Sequence, residues 1–173
     1  MLGVPKNKVI LLYHSDAWAE EYCDVKEHFL KIFGDEIVAI EHVGSTAIPE
    51  IMAKPMLDIA IVFREMTEQI HRKMEEHKYI YYGEVARGKY LFLLKRENGD
   101  SLQHVHCYAS KDTTLFYEQI RFRDFLRAHP EYAKEYEELK KHLSKLYPDD
   151  RKKYTAGKQA FFEKIRLLAA QNP

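Results

Sequence analysis

The chain has 173 residues, 27 basic and 27 acidic side chains and a formal net charge of zero, with 46% apolar and 31% charged residues. This is the composition of a folded globular protein, long enough for one domain (1–173) with a real core. The longest apolar run, 56–63, is interrupted by Asp58 and falls far short of the roughly 20 residues that span a bilayer, so no membrane segment is expected. The balanced charge argues against bulk nucleic acid, whose partners carry a basic excess. Residues 1–110 hold 13 basic and 17 acidic groups and residues 111–173 hold 14 and 10, a mild asymmetry. Residues 1–7 lack the regions of a secretory signal, and Cys23 and Cys107 form neither a CxxC pair nor a disulfide framework. A cytoplasmic, reduced protein is the expectation.

Ser15 and Asp16 are placed to cap a helix carrying Trp18, Tyr22, Val25, Phe29 and Ile32 at spacings of three and four, which Gly34 ends. Residues 36–43 read as a strand, Pro49 and Pro55 punctuate the next connection, and 56–63 reads as a deeply buried strand. A helix follows over 67–78 with Ile70 and Met74 inward. Residues 79–84, 89–95 and 101–108 are rich in aromatic and β-branched residues, and Asn98-Gly99-Asp100 signals a hairpin between the last two. The pattern then returns to helix over 113–128 and breaks at His129-Pro130. It resumes along Tyr132, Tyr136, Leu139, Leu143 and Leu146, and ends in one helix over about 151–170. The order predicts an α+β fold: a mixed β-sheet flanked by helices, with a helical C-terminal third.

The informative stretch is Glu41-His42-Val43-Gly44-Ser45-Thr46, separated by twelve residues after Ser45 from Asp58 within Met56-Leu57-Asp58-Ile59-Ala60-Ile61. Gly44 lets backbone approach a ligand closely, and free amides with the Ser45 hydroxyl suit a phosphate. Alone, Gly-Ser is better explained as a tight turn. An Asp centred in an apolar strand is different, because a buried charge costs several kcal/mol unless it is paired or binds metal.

This arrangement resembles the nucleotidyltransferase superfamily, and more closely the GrpB family within it. The resemblance runs almost end to end, through the Trp18 region, residues 41–46, Ala53-Lys54-Pro55 and His104-Val105-His106. It continues through residues 122–130 and Tyr154 with Lys158 before Phe161-Phe162. It implies a nucleotidyltransferase-like fold, a nucleotide or phosphorylated small molecule as partner, and metal-assisted nucleotidyl or phosphoryl transfer. The superfamily's second strand carboxylate falls at position 60, where this chain has Ala60. That removes a ligand from the place of a second metal and opens an alternative: a non-catalytic domain that binds a ligand or protein.

His104 and His106 leave one face of a predicted strand, and with Asp58 they could hold a divalent metal (Mg, Mn or Zn), imidazole favouring the last two. His42 could point into the same region. The plainer reading has a histidine hydrogen-bonding Asp58 as base or structural partner. The candidate site is therefore Asp58, His104 and His106 for metal or proton transfer, with His42 as a further metal ligand. Gly44, Ser45, Thr46, Lys54, Arg123, Tyr154 and Lys158 would hold the phosphorylated ligand. Tyr154 precedes Lys158 by one helical turn, so both can face one pocket.

Overall fold

The computed structural model describes residues 2–171. Helix α1 (Ala17–Phe33) buries Trp18, Phe29 and Phe33, and Gly34 ends it at φ 49°, its N–H reaching back to the Leu30 carbonyl. Asp16 occupies the first cap position, but its side chain accepts no capping hydrogen bond. Strands β1 (Ile37–Val43) and β2 (Leu57–Phe63) frame a loop whose first turn is a short 3-10 segment, Ser45–Ala47. Helix α2 (Glu68–Glu76) starts where Thr67 accepts from the Ile70 N–H and turns Ile70 and Met74 inward. Then come β3 (Ile80–Ala86), β4 (Lys89–Lys95) and β5 (Ser101–Ala109). The C-terminal helices are α3 (Thr114–Ala128), α4 (Pro130–Leu146), α5 (Arg151–Ala156) and α6 (Gln159–Gln171).

The five strands form one mixed sheet in the order β1-β2-β5-β4-β3. Only β2 and β5 run parallel; the other neighbours are antiparallel, including the β4–β5 pair joined through Asn98-Gly99-Asp100. Strict alternation sorts the side chains of the central strands. Leu57, Ile59, Ile61 and Phe63 of β2, with Val105 and Cys107 of β5, meet Phe29, Ile70 and Met74 from α1 and α2. The opposite face carries Ala60, Val62 and Tyr108 against Phe116 of α3. A separate cluster joins α3, α4 and α6 through Leu126, Tyr136, Phe161 and Ile165, and buries Ile48 and Ile51 of the β1–β2 loop.

Two expectations change. The single last helix is broken at Gly157-Lys158, giving α5 and α6. Gly157 lies against α4, where a Cβ would stand 2.5 Å from Leu143 Cδ2, so a larger residue there would have to push that side chain aside. Leu146, read as part of the inward stripe, is 54% exposed because α4 runs past its packing partners. Among the described residues no helix is long and apolar enough to cross a membrane.

Candidate functional site

The site grows from the alternation of β2 and β5. Their parallel register sets Asp58 opposite His104 and Ala60 opposite His106. All four side chains leave the face turned toward the C-terminal helices. Asp58 Oδ1 stands 3.6 Å from His104 Nδ1 and 3.6 Å from His106 Nε2. Burial alone would raise the Asp58 pKa, but the His106 contact, His104 and the positive charge of Lys54 outweigh it, and the carboxyl is held well below the usual carboxylate range. Burial lowers His104 to about 4 against the opposing pull of Asp58, and it lowers His106 as well. At neutral pH the cluster is one carboxylate between two neutral imidazoles. His106 Nδ1 is sealed from solvent with no hydrogen-bond partner among the described residues.

Gly44 follows directly on this carboxylate. Its φ of 72° belongs to the left-handed region, and a Cβ there would stand 2.8 Å from Asp58 Cβ. The Gly-Ser turn is thus packed onto the Asp58 side chain. The Ser45 hydroxyl lies within hydrogen-bonding reach of Tyr136 on α4. The loop behind it is fastened to the helices: Arg127 Nε donates to the Ala47 carbonyl at 2.8 Å, and the Met52 N–H donates to Glu137 Oε1 at 2.9 Å. Lys140, fully buried on α4, donates to the Met52 carbonyl.

These groups open onto a cavity of about 590 Å³ between the sheet and helices α3 to α6. Lys54 from the loop and Lys158 from the α5–α6 bend both line it. Their ammonium groups lie 5.6 and 4.9 Å from the Tyr154 ring centroid, and Lys158 is also 5.3 Å from that of Phe162. Neither has a carboxylate partner among the described residues, and the same holds for Lys89 on β4 at the cavity wall. Burial lowers Lys54 and Lys158 to about 8, each resisted by Asp58. Half-buried, unpaired ammonium groups are costly in an empty pocket and become favourable when an anion enters.

The structure brings Gly44, Ser45, Thr46, Lys54, Asp58, His104, His106, Tyr154 and Lys158 to this one cavity. Within that set Thr46 is buried, its hydroxyl 2.9 Å from His42 Nε2. His42 itself is not brought there. It pairs with Ile59 in the β1–β2 register, on the face of α1, and stacks on Tyr22 at 4.9 Å. Arg123 is also elsewhere: Nη1 donates at 2.7 Å to Glu41 and to the His42 carbonyl, and Nε donates at 2.7 Å to Asp124. It ties α3 to β1 and has no donor group turned to the cavity. Residues that sequence reasoning did not bring to the site are Tyr136, which lines the cavity and read only as part of a helical stripe, and Lys140 behind it.

A carboxylate with two neutral imidazoles is a donor set suited to Zn²⁺ or Mn²⁺. The two 3.6 Å separations are near the roughly 3.4 Å between neighbouring ligands of a tetrahedral ion. As placed, however, no three His, Cys, Asp or Glu side chains among the described residues close round one point.

Comparison with known proteins agrees with the resemblance read from the motifs. The family model described as GrpB protein matches residues 8–167. The chain is 35% identical over 173 residues to the glutamate-rich protein GrpB of Alkalihalophilus pseudofirmus, covering 95% of this chain and 98% of that one. It is 37% identical over 163 residues to UPF0157 protein YqkA of Bacillus subtilis; the match takes in 92% of this chain and spans only 46% of YqkA's length. The crystal structure of the conserved protein GrpB from Enterococcus faecalis superposes with a TM-score of 0.85 at 30% identity, over 94% of this chain and 98% of that one. The chain belongs to the GrpB family.

Proposed function

We propose that this GrpB family member binds a nucleotide or another phosphorylated small molecule in the cavity beneath α3 to α6, and that Asp58 with His104 and His106 serves transfer of its phosphoryl or nucleotidyl group. One observation carries the reading. Lys54 and Lys158 face the cavity with no carboxylate partner among the described residues, beside the Gly44–Ser45 turn. Their positive charge needs an anion, and the cavity has room for one larger than inorganic phosphate. Lysine acts on phosphate as a point charge, and the Tyr154, Phe162 and Phe122 rings offer apolar surface for the rest of the ligand. A divalent cation held by Asp58 would screen phosphate charge there.

The test is thermal shift of the metal-stripped protein with nucleoside triphosphates, alone and with Mg²⁺, Mn²⁺ or Zn²⁺, against the Lys54→Ala/Lys158→Ala double variant. A ligand at a hundredfold over its dissociation constant adds about 2.7 kcal/mol, a shift of a few degrees at this chain length. Binding in the parent that disappears in the folded double variant supports the reading; equal behaviour of the two sinks it.

Ala60 favours a second reading, a pocket that binds and transfers nothing. It stands where the superfamily pattern has a second carboxylate, opposite His106. Under that reading nucleotide binding leaves the nucleotide unchanged after prolonged incubation with any candidate acceptor.

A further inference from the structure

We infer that His104 is the nucleophile of a covalent transfer step, its Nε2 taking the phosphorus centre of a phosphoric anhydride held by Lys54 and Lys158. The inference rests on the pocket reading above and adds the route of transfer.

The two histidines present opposite ends to the same carboxylate oxygen. His104 offers Nδ1 and His106 offers Nε2, each at 3.6 Å from Asp58 Oδ1. At 3.6 Å neither contact is itself a hydrogen bond, but the field of the ionised carboxylate favours, in each neutral ring, the tautomer with its proton on the nitrogen facing it. The other nitrogen keeps its lone pair. On His106 that nitrogen is Nδ1, sealed from solvent with no hydrogen-bond partner among the described residues. On His104 it is Nε2, which has no hydrogen-bond partner among the described residues and, unlike His106 Nδ1, is not sealed from solvent. His104 lines the cavity that Lys54 and Lys158 also line, and Lys54 is close enough to act on it electrostatically. Of the two rings, only His104 therefore has a free electron pair open to the space an anion would fill. Nε2 is also the nitrogen farther from the backbone, so a tetrahedral phosphorus meets less obstruction there.

Ala60 completes the argument. With no second carboxylate beside Asp58, this face lacks the group that would activate an incoming oxygen for direct displacement. A covalent route splits that displacement into two steps and does not need it. In the first step the Nε2 pair forms an N–P bond while the P–O bond to the leaving group breaks, and the leaving pyrophosphate or nucleoside diphosphate departs with that pair. The ring becomes cationic, its Nδ1–H against the Asp58 carboxylate. In the second, a water or hydroxyl oxygen forms a P–O bond, the N–P pair returns to Nε2, and the acceptor's proton passes to solvent. Nothing is oxidised or reduced.

The experiment incubates the full chain with ATP radiolabelled at the α or the γ phosphorus and quenches in alkali, since phosphorus on histidine nitrogen is stable to base and lost in acid. The proposal expects an acid-labile label that maps to His104 and falls about hundredfold in His104→Gln, while ATP still raises the melting temperature of that variant. The position of the label tells nucleotidyl from phosphoryl transfer. A parent protein that binds ATP yet carries no such label overturns the nucleophile and leaves the pocket standing, as does a label undiminished in His104→Gln. Absence of both label and thermal shift overturns the pocket for this ligand class and the nucleophile with it.

Discussion

Gly44 and Asp58 are packed so closely that the turn and the carboxylate form one unit: a Cβ on Gly44 would stand 2.8 Å from Asp58 Cβ and 2.9 Å from its Cγ. Gly44→Ala meets that obstruction and also a φ of 72° that an L side chain adopts at a cost. It should lose about 1–3 kcal/mol in urea unfolding, from overpacking and backbone strain together. The same change should weaken anion binding, because Asp58 and the Ser45 turn must move apart. A variant of parental stability and affinity would show that the turn has room to give.

Asp58 is the negative charge at the cavity wall that acts on Lys54, Lys158 and Lys89 alike. Asp58→Asn removes it at nearly constant shape. Binding of pyrophosphate should tighten by roughly fivefold, about 1 kcal/mol of relieved repulsion, while transfer is lost because the charge that biases the two imidazoles is gone. Calorimetric titration beside a turnover assay separates the two effects. Weaker anion binding in Asp58→Asn would mean that the carboxylate holds the ligand through a cation.

Much of this was legible in the sequence, and the reasons for the exceptions are physical. Alternation within 101–108 correctly put His104 and His106 on one face and Cys107 on the other. The same rule applied to β1 separates His42 from Val43 and groups it with Ile40, but the histidine's proximity to Gly44 in sequence outweighed that parity. Arg123 carries no local sign that Glu41, 82 positions earlier, awaits it. Lys140 and Tyr136 read as an ordinary helical face, because only the tertiary placement of α4 over the β1–β2 loop brings them to Met52 and Ser45. The break at Gly157 was hidden in an otherwise continuous helical pattern.

The buried lysines set a pH dependence of stability. Lys54 and Lys158 lie at about 8 and Lys140 at about 7, lowered chiefly by burial from the ordinary 10.5. Between those values and 10.5 the unfolded chain holds more protons than the folded one, so stability rises with pH from about 7 to 9. Above about 10 the trend reverses, since burial raises the Cys107 thiol and the Tyr136 and Tyr154 hydroxyls and the unfolded chain ionises first. Denaturant titrations at several pH values check this, and Lys140→Met should flatten the rise. A flat profile in the parent would mean that the lysines are better solvated than their surroundings indicate.

On the acid side the histidines govern. His104 lies at about 4 and His106 is also lowered, both below the ordinary 6.5. Between 6.5 and 4 the unfolded chain takes up protons that these rings refuse, so stability falls with falling pH. The Asp58 contribution, full above 3.8, is lost only at still lower pH because its folded pKa is depressed. His104→Gln should remove about 1–3 kcal/mol of the loss between pH 6.5 and 4.5. Proton titration of the two imidazoles by NMR reads the cause directly.

The central claim, that Lys54 and Lys158 hold the phosphate of a small molecule, is tested most directly by calorimetric titration of pyrophosphate at pH 8 in two buffers of different ionisation enthalpy. Lysines lowered to about 8 are partly neutral there and must regain protons when the anion enters. The account predicts measurable binding in the parent with net proton uptake, weakened by about tenfold or more in Lys54→Ala/Lys158→Ala with its uptake gone. Binding of equal strength in both proteins, or binding that moves no protons, would contradict it.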